Sequence, residues 1–320
     1  MTGNNPVSAM IVTVTLNTSI DRTLFIKDFT WNRTIRASKS VLGMGGKAAD
    51  ASWVLGELGC DNLATGFAAG DTGKLMEKML RERGCQSDFV WVAGETRTNI
   101  VVISEQGKGQ STLVTNGLEI SPAHIDEFKN KFTSLLGKAS GALIGGSLPP
   151  CVDPSFYAFL IKQVRSAGLP VVFDASGPGL IAGMEGRPTI AKPNIDEISE
   201  LSGQSVTTIE SAYRVGTELY AKYGTMFIIT LGADGALAVL SGRSYRIPIL
   251  KVPVVSTAGA GDAVLAGLSV ALSEGKPIEE GLRLGFAAAA AVCLTPATAD
   301  CHRSDVERFI PQIELIPYPA

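Results

Sequence analysis

Apolar, β-branched segments alternate with segments of helical periodicity through most of this chain. MIVTVTL at residues 10–16 is typical of a buried strand, and KAADASWVLGEL at residues 47–58 suits a helix. NLATGFA then indicates a strand, and DTGKLMEKMLRERG a helix with an aspartate cap and a glycine stop. Strands that alternate with helices at this spacing predict a parallel sheet covered on both faces.

The same order continues in the second half of the chain. Strand-like GALIGGS precedes helical DPSFYAFLIKQVRSAG, and strand-like LPVVFDAS precedes helical NIDEISELSG and TTIESAYRVGTELYAKYG. After strand-like TMFIITLG, we expect the chain from residue 259 onward to be almost entirely helical. We therefore predict a single α/β domain over residues 1–320.

Two segments interrupt the alternation, at residues 20–41 and about 88–115. Both contain short β-branched runs and turn residues, but no helical periodicity. We expect them to form a small extra β-sheet that acts as a lid. The alternative is a hairpin decoration without a function.

Composition and charge limit the possible partners. A hydrophobic content of 45% with 18% charged residues supports a large core and argues against disorder. A formal net charge of −3 gives no general attraction to nucleic acid or membrane, so we expect neither as a partner. The five cysteines show no CxxC pairing, the first ten residues lack the pattern of a signal peptide, and GFAAAAAVCL is too short to span a bilayer. We therefore expect a cytoplasmic protein.

Several familiar catalytic patterns are incomplete. GMGGKA at residues 43–48 matches a dinucleotide-binding fingerprint, but IRASKSVL before it is a poor candidate for the required strand. A Walker A loop built on Gly46 and Lys47 would need a glycine where the chain has Val41, and a serine or threonine where it has Ala48. With two histidines in the chain, a Ser-His-Asp triad or a histidine-rich metal site is nearly excluded.

Small residues precede a single carboxylate in VVSTAGAGDAVLAGL, at residues 254–268. One interpretation is a tight turn with an acidic residue in the first turn of a helix. The other is an anion cradle, in which the N–H groups of residues 258–261 face a phosphate and Asp262 acts as a general base. Phosphoryl transfer needs such dipoles, because negative charge spreads over the oxygens of the transferred group. Gly259, Ala260 and Gly261 are then catalytic candidates together with Asp262.

Four further polar clusters follow predicted strands, where ligands bind in α/β sheets. They are TLNTSIDR with Asp21, GGSLP, AKPNIDE and TLGADG. Each could be only a turn or a helix cap, but their shared position favours one ligand site. Lys192 would then hold nucleotide phosphates, Asn194 and Glu197 would hold Mg²⁺ through water, and Asp21 would accept hydrogen bonds from sugar hydroxyls.

TAGAGDAVLAGL, KPNIDE, TLGADGALAV, GGSLPP and GMGGKAADASWVLGELG together resemble the ribokinase-like carbohydrate kinases, from about residue 11 to 310. Within that family the chain is most similar to the branch that contains 1-phosphofructokinase, tagatose-6-phosphate kinase and the minor 6-phosphofructokinase. The resemblance implies a doubly wound, mostly parallel sheet with a β-sheet lid that forms a homodimer. It also implies ATP and Mg²⁺ as cofactors, K⁺ as a further candidate, and transfer of the γ-phosphoryl group to a hydroxyl of a ketohexose phosphate.

The resemblance also implies the roles of individual residues. Asp262 matches the family's base, while Lys47 and Arg97 match the residues that hold the phosphate already on the sugar, and Arg33 is a candidate for a third cation there. The alternative is that Lys47 and Arg97 pair with Glu95 and Asp50. The remaining candidates for substrate binding are Asp21, Gly45, Gly46, Asp50 and Ser147, and those for cofactor binding are Lys192, Asn194, Thr230, Gly232, Gly235 and Gly261.

Two residues depart from the family's glycine turn, GGKGINVA. Ala48 replaces a glycine, and Asp50 replaces an asparagine that contacts a sugar hydroxyl. An ionised aspartate only accepts hydrogen bonds and would repel a phosphate, so these positions leave the substrate open. The alternatives are a family kinase for a non-phosphorylated sugar or polyol, and a catalytically silent sensor of sugar phosphate or nucleotide. The intact GAGD loop counts against the sensor.

Overall fold

The structure is a computed structural model that describes residues 10–319. The sequence-based expectation about a signal peptide falls almost wholly on residues 1–9, which lie outside this range. The strands are β1 (Ile11–Thr15), β2 (Ser19–Ile26), β3 (Lys39–Gly45), β4 (Asn62–Ala68), β5 (Gln86–Ser87), β6 (Val90–Trp91), β7 (Arg97–Ser104), β8 (Gln110–Leu113), β9 (Gly141–Gly145), β10 (Val171–Asp174), β11 (Ile190–Ala191), β12 (Met226–Thr230), β13 (Ala236–Val239), β14 (Ser244–Ile247) and β15 (Ile316–Pro317). The α-helices are α1 (Lys47–Glu57), α2 (Gly70–Glu82), α3 (Pro122–Leu136), α4 (Ser155–Ser166), α5 (Gly177–Met184), α6 (Ile195–Ser202), α7 (Ile209–Tyr223), α8 (Ala260–Ser273), α9 (Ile278–Val292) and α10 (Arg303–Phe309).

One large sheet organises the molecule. Its strand order is β15-β14-β13-β12-β11-β10-β9-β1-β4-β5, and β6 also pairs with β4. The seven strands from β12 to β5 run parallel to their neighbours, whereas β13, β14 and β15 continue the sheet as antiparallel strands. The carboxyl ends of the parallel strands therefore meet at one edge, which is where such sheets bind ligands.

Helices cover both faces of this sheet and form two separate cores. Along β12, Phe227 and Ile229 point into the core that α3 to α7 build, while Ile228 points into the core that α1 and α8 to α10 build. This alternation follows from the two-residue period of a strand. The predicted α/β fold with a mostly parallel sheet and helices on both faces is confirmed.

A second sheet, in the order β3-β2-β7-β8, contains four strands. It packs on α2 through a small apolar cluster that includes Ile20, Met44 and Met76. The boundaries of the two predicted insertions differ from those of this second sheet. The last four residues of IRASKSVL, which was judged a poor strand, belong to β3, because residues 39–45 pair with residues 19–25 of β2. Conversely, β6 lies inside the second predicted insertion but pairs with β4 of the large sheet.

The expectation of an almost wholly helical end is wrong at one point. After α10, Ile316 and Pro317 form β15 and pair with β14, in a contact too short to leave a periodic signal in the sequence. Within residues 10–319 no helix is both long and apolar enough to cross a membrane.

Candidate active site

The carboxyl edge of the large sheet brings the polar motifs of the sequence together. GGSLP follows β9, AKPNIDE begins in β11, and TLGADG continues β12. A backbone bridge between Asn194 and Thr230 joins the last two motifs. The glycine turn that contains Gly46 lies beside β9, where a Cβ atom added to Gly145 would lie 3.6 Å from the Cβ of Lys47.

Asp174, the last residue of β10, lies at the centre of this edge, although the sequence motifs did not point to it. Its carboxylate is 1% exposed and holds two ammonium groups. The Nζ of Lys47 lies 2.6 Å from Oδ1, and the Nζ of Lys192 lies 2.8 Å from Oδ2. Burial alone would raise the pKa of Asp174, but the two lysines hold that pKa below its usual value.

The two lysines reach Asp174 from different elements. Lys47 is the first residue of α1, which Gly46 caps, and its Nζ also lies 3.8 Å from Glu197. Burial would lower the pKa of Lys47, but Asp174, Asp262 and Glu197 raise it overall, so the ammonium stays charged. The alternative pairing of Lys47 with Asp50 is absent from residues 10–319.

Lys192 is buried and extends toward the glycine-rich loop. Its Nζ lies 3.6 Å from the position that a Cβ atom on Gly261 would occupy. Because Gly261 has no side chain, the ammonium group of Lys192 can approach an anion bound at this loop. A side chain at position 261 would fill part of that space.

The glycine-rich loop ends in the first turn of α8, where Gly259 is the N-cap with φ 82°. A Cβ atom on Gly259 would lie 2.6 Å from the Cα of Ala299, so this position also requires glycine for close packing. The Ala258 N–H donates to Ser256 Oγ at 3.2 Å, and the Ala260 N–H donates to the Thr257 carbonyl oxygen at 3.2 Å.

The predicted cradle of four amides is therefore smaller than expected. Within residues 10–319, the N–H groups of Gly259 and Gly261 are the two in the 258–261 segment that donate to no protein acceptor. The other two are satisfied locally by the turn that leads into α8. The first helical turn still points its free amides and the positive end of its dipole outward.

Asp262 is half-buried in the first turn of α8, directly after these amides. Burial raises its pKa to about 7, although Lys47 and Lys192 act in the opposite direction. Burial, together with the negative charges of Asp262 and Asp21, raises the pKa of Asp50, a buried residue of α1, well above its usual value.

A further buried carboxylate comes from β2 of the small sheet. Asp21 of β2 accepts from Asn99 Nδ2 at 2.9 Å and from Thr298 Oγ1 at 3.0 Å. Gly45 lies directly against it, since an added Cβ atom would overlap Asp21 Oδ1. Asn99 and Thr298 were not singled out in the sequence, because their separation along the chain hides their convergence on Asp21.

Arg97 begins β7 and lies half-buried beside the end of β9. Its guanidinium donates to the Asn17 carbonyl oxygen at 3.1 Å, to Ser147 Oγ at 3.2 Å and to the Thr115 carbonyl oxygen at 3.2 Å. The alternative pairing with Glu95 is not present in the described chain, because Glu95 instead accepts from backbone amides at the start of α2.

Arg33 is the one predicted cation that the structure does not bring to this group. It is exposed in the loop between β2 and β3, and within residues 10–319 no hydrogen bond or ion pair holds it.

The predicted nucleotide and metal residues lie around the start of α6. Asn194 is the N-cap of this helix: its Oδ1 accepts from the Glu197 N–H at 2.8 Å, and Glu197 Oε2 accepts from the Asn194 N–H at 2.8 Å. Among the residues that the structure describes, the second carboxylate oxygen of Glu197 accepts no hydrogen bond, and the Lys47 Nζ lies 3.8 Å from it. Gly232 and Gly235 shape the neighbouring turn, where the Leu231 N–H donates to the Gly235 carbonyl oxygen at 2.8 Å.

Known proteins match this chain over most of its length. The profile of the pfkB family carbohydrate kinases matches residues 11–305. The chain is 31% identical over 305 residues to the 1-phosphofructokinase of Bacillus subtilis. This alignment covers 95% of this chain and 97% of that protein. It is 29% identical over 311 residues to the tagatose-6-phosphate kinase of Staphylococcus epidermidis, with 96% and 99% covered. The structure of phosphofructokinase-2 from Escherichia coli in complex with potassium is similar, with a TM-score of 0.85 and 27% identity over 94% of this chain and 98% of that one.

The fold and the clustered cations, free amides and carboxylates define a small-molecule phosphotransferase. The chain belongs to the pfkB family of carbohydrate kinases. The resemblance that the sequence motifs carry is thereby confirmed.

Asp174 provides a test of the charge arrangement at the site. Replacing Asp174 with Asn leaves two lysines beside each other without a buried counter-charge, and we expect it to lower the free energy of unfolding by about 3–5 kcal/mol at pH 7. Because the folded-state pKa of Asp174 is lowered, this loss is full above about pH 4 and shrinks as the pH falls further. Denaturant unfolding at several pH values measures it.

The matched control for Asp174→Asn is Asp71→Asn, which removes an exposed ion pair with Lys74. We expect this control to change the free energy of unfolding by less than about 1 kcal/mol. Equal and small effects of the two variants would contradict a central role for Asp174.

Proposed function

We propose that this protein transfers the γ-phosphoryl group of ATP to a hydroxyl of a ketohexose phosphate and so forms a hexose bisphosphate. The observation that carries the proposal is the meeting of Lys192, two free amides and the Asp262 carboxyl at the start of α8. These are the groups that an in-line phosphoryl transfer needs: fixed positive charge for the moving group, and a base for the attacking hydroxyl.

Asp262 would act as the general base. Its pKa of about 7 keeps a large fraction ionised at neutral pH while making it a stronger base than an exposed aspartate. The proton leaves the attacking sugar hydroxyl for the Asp262 carboxylate, the oxygen then bonds to the γ-phosphorus, and the bond to the leaving oxygen of ADP breaks.

The start of α8 fits the terminal phosphate of ATP. The Gly259 and Gly261 N–H groups would donate to its oxygens, and Lys192 would neutralise charge from the side. The turn that contains Thr230, Gly232 and Gly235 would lie along the nucleotide. These assignments rest on position at the sheet edge.

The acidic side chains at α6 fit Mg²⁺ only as outer ligands. Within the described chain, no group of three or more His, Cys, Asp or Glu residues could hold a metal by itself. Asn194 Oδ1 is occupied by the helix cap, whereas one Glu197 oxygen remains available to bound water. Mg²⁺ typically keeps several waters and binds through substrate phosphates and few carboxylates, and when bound it neutralises phosphate charge.

The sugar phosphate would bind on the other side of Asp262. Arg97 and Ser147 lie together at the end of β9, and Lys47 lies next to the same strand end. Arg97 would bind the phosphate already on the sugar, since a guanidinium suits a phosphate dianion. Asp21 and the bare backbone of Gly45 would face sugar hydroxyls. The names of the two relatives, a 1-phosphofructokinase and a tagatose-6-phosphate kinase, support a phosphorylated ketohexose.

The proposed architecture is one domain whose small sheet closes the site as a lid. Gln110 of β8 already accepts from the Thr257 N–H at 3.1 Å, which links this sheet to the glycine-rich loop. Phe29 and Trp31 lie in the loop between β2 and β3 of this sheet, and Trp31 is 80% exposed. Both side chains would be covered in a homodimer that forms through the lid. We also propose a cytoplasmic location, and K⁺ as a further cofactor because the similar phosphofructokinase-2 structure contains potassium.

The substrate class is tested by measuring ATP consumption with fructose 1-phosphate, fructose 6-phosphate, tagatose 6-phosphate and the free sugars. We expect turnover with at least one phosphorylated ketohexose at a kcat/KM well above that for any free sugar. Turnover with a free sugar or polyol alone would favour the alternative kinase. Tight binding without turnover of any compound would favour a sensor.

Replacing Asp262 with Asn tests the base. We expect nearly unchanged ATP binding and a kcat that is lower by at least about 10²-fold, because the amide cannot take the hydroxyl proton. Asp305→Asn is the control, since Asp305 also lies in the first turn of a helix, α10, but away from the sheet edge. Unchanged turnover in Asp262→Asn would remove this residue as the base.

Replacing Arg97 with Ala tests the phosphate clamp. We expect the KM for the sugar phosphate to rise by at least about tenfold, as one charge-assisted hydrogen bond is worth about 1.5–3 kcal/mol, while the KM for ATP changes little. Arg22→Ala is the control, because Arg22 is exposed on the neighbouring strand β2. Equal rises in both KM values would refute the assignment.

A further inference from the structure

The loop between α9 and α10 reaches Asp21 and the glycine-rich loop with two residues that are almost completely buried. Thr298 is 3% exposed, and Ala299 is fully buried. Connecting loops normally run over the surface of a protein. A buried dipeptide in such a loop therefore needs a packing reason or a functional one.

Thr298 contacts the carboxylate of Asp21. Its Oγ1 donates to Asp21 Oδ2 at 3.0 Å, across 277 residues of sequence. Gly43 lies directly opposite Asp21 in the pairing of β2 with β3, and a Cβ atom added to it would lie 2.8 Å from the backbone nitrogen of Thr298. Side chains of directly opposed residues lie on the same face of a sheet. The absence of a side chain at position 43 therefore provides the space in which Thr298 reaches Asp21.

Ala299 contacts the glycine-rich loop. Its N–H donates to the Ala258 carbonyl oxygen at 3.0 Å, and its Cα lies 2.6 Å from the position that a Cβ atom on Gly259 would occupy. The backbone of Ala299 has a φ of 54°, which a residue with a side chain rarely adopts. Such a conformation persists only where the surrounding structure holds it. The dipeptide is thus fixed between two glycines, Gly43 and Gly259.

The next residue anchors the loop to two helices. Asp300 forms an ion pair with Arg83, which follows α2, and accepts from Trp53 Nε1 of α1 at 3.4 Å. The Asp300 carbonyl oxygen also accepts from Thr295 Oγ1 at 2.7 Å. These contacts tie the dipeptide to α1 and α2, so that it can act as a rigid support.

We infer that Thr298 is a positioning residue, whose hydroxyl holds the Asp21 carboxylate in a fixed place relative to the free Gly259 amide. The inference rests on the proposed function, in which Asp21 binds sugar hydroxyls and the Gly259 amide binds the terminal phosphate of ATP. Thr298 acts through Asp21 and does not touch the sugar itself.

The hydrogen bonds of Asp21 leave capacity for a sugar. Asn99 Nδ2 donates to Oδ1 at 2.9 Å and Thr298 Oγ1 donates to Oδ2, so each oxygen has one protein donor. An ionised carboxylate has about four lone-pair sites, and each oxygen can therefore accept one further hydrogen bond, from a sugar hydroxyl. With both oxygens held, the place of the sugar relative to the phosphorus is set before binding. Reaction rates depend steeply on such alignment, because misplacement by about 1 Å can cost about 10²-fold.

Replacing Thr298 with Val tests this role, because valine has a similar shape without the hydroxyl. We expect kcat/KM for the sugar phosphate to fall by at least about tenfold, the equivalent of one hydrogen bond to a charged group, while the KM for ATP changes little. Thr298→Ser keeps the hydroxyl and should retain most of the wild-type kcat/KM. If Thr298→Val does not fold, Thr298→Ala takes its place, since it also removes the hydroxyl.

The matched control is Thr225→Val. Thr225 is also buried, and its Oγ1 donates to the Pro188 carbonyl oxygen at 2.7 Å, but it directly precedes β12 and so lies at the amino edge of the sheet. We expect this control to lower the midpoint of thermal unfolding, while kcat/KM for the sugar phosphate changes by less than about twofold. Equal kinetics in Thr298→Val and the control, equal losses in Thr298→Val and Thr298→Ser, or equal rises in both KM values would each overturn the inference.

A double-mutant cycle tests whether Thr298 acts through Asp21. It compares kcat/KM for the sugar phosphate in the wild type, Thr298→Val, Asp21→Ala and the variant with both changes. Once Asp21 is replaced, loss of the Thr298 hydroxyl should lower kcat/KM by less than about twofold further. A further loss of about tenfold would mean that Thr298 acts on the sugar by another route, and would overturn the inference.

The proposed function and this inference fail in different ways. If the wild type phosphorylates a free sugar or polyol but no ketohexose phosphate, the proposed substrate is wrong, and the same comparison with that compound still tests Thr298, because Asp21 faces hydroxyls. Denaturant unfolding of the four proteins in the cycle needs no substrate: the two single changes should be non-additive, and additivity would overturn the inference. If the wild type turns over no compound, the proposed function fails, and this unfolding cycle alone decides whether Thr298 positions Asp21.

Discussion

The buried carboxylate of Asp174 is the interaction on which the site depends. It joins Lys47 at the start of α1 to Lys192 in the loop after β11, so that the proposed sugar side and the proposed nucleotide side of the sheet edge share one counter-ion. Two ammonium groups this close would repel each other strongly in a buried setting without it. The strand order places β10 between β9 and β11, which lets one side chain reach both.

The two lysines also act on the charge of Asp262. They act against burial, which raises the pKa of Asp262, and so favour its ionised form. Phosphates bring several negative charges into the same space, so the balance matters for binding as well as for the base. Glycines at positions 259 and 261 then let an anion approach the amides and Lys192 closely.

Most of the fold was predictable, because many strands and helices have apolar residues at the spacing that burial against a layered sheet requires. Examples are β1, β4, α1, α4 and α7. The motif residues on the sheet edge were predictable from position and family resemblance. Asp174 was missed because a single aspartate at a strand end has no local signature, and Asn99 and Thr298 because their contact with Asp21 joins distant segments. The local hydrogen bonds of Ala258 and Ala260 depend on packing that one-dimensional patterns do not contain.

The most direct test of the account is a crystal structure with Mg²⁺ and a non-hydrolysable ATP analogue. The account predicts that oxygens of the terminal phosphate lie within hydrogen-bond distance of the Gly259 and Gly261 N–H groups and near the Nζ of Lys192, with the Asp262 carboxylate beyond the phosphorus on the side of Arg97. A terminal phosphate bound away from the start of α8, or an Asp262 side chain turned out of the cleft, would contradict it.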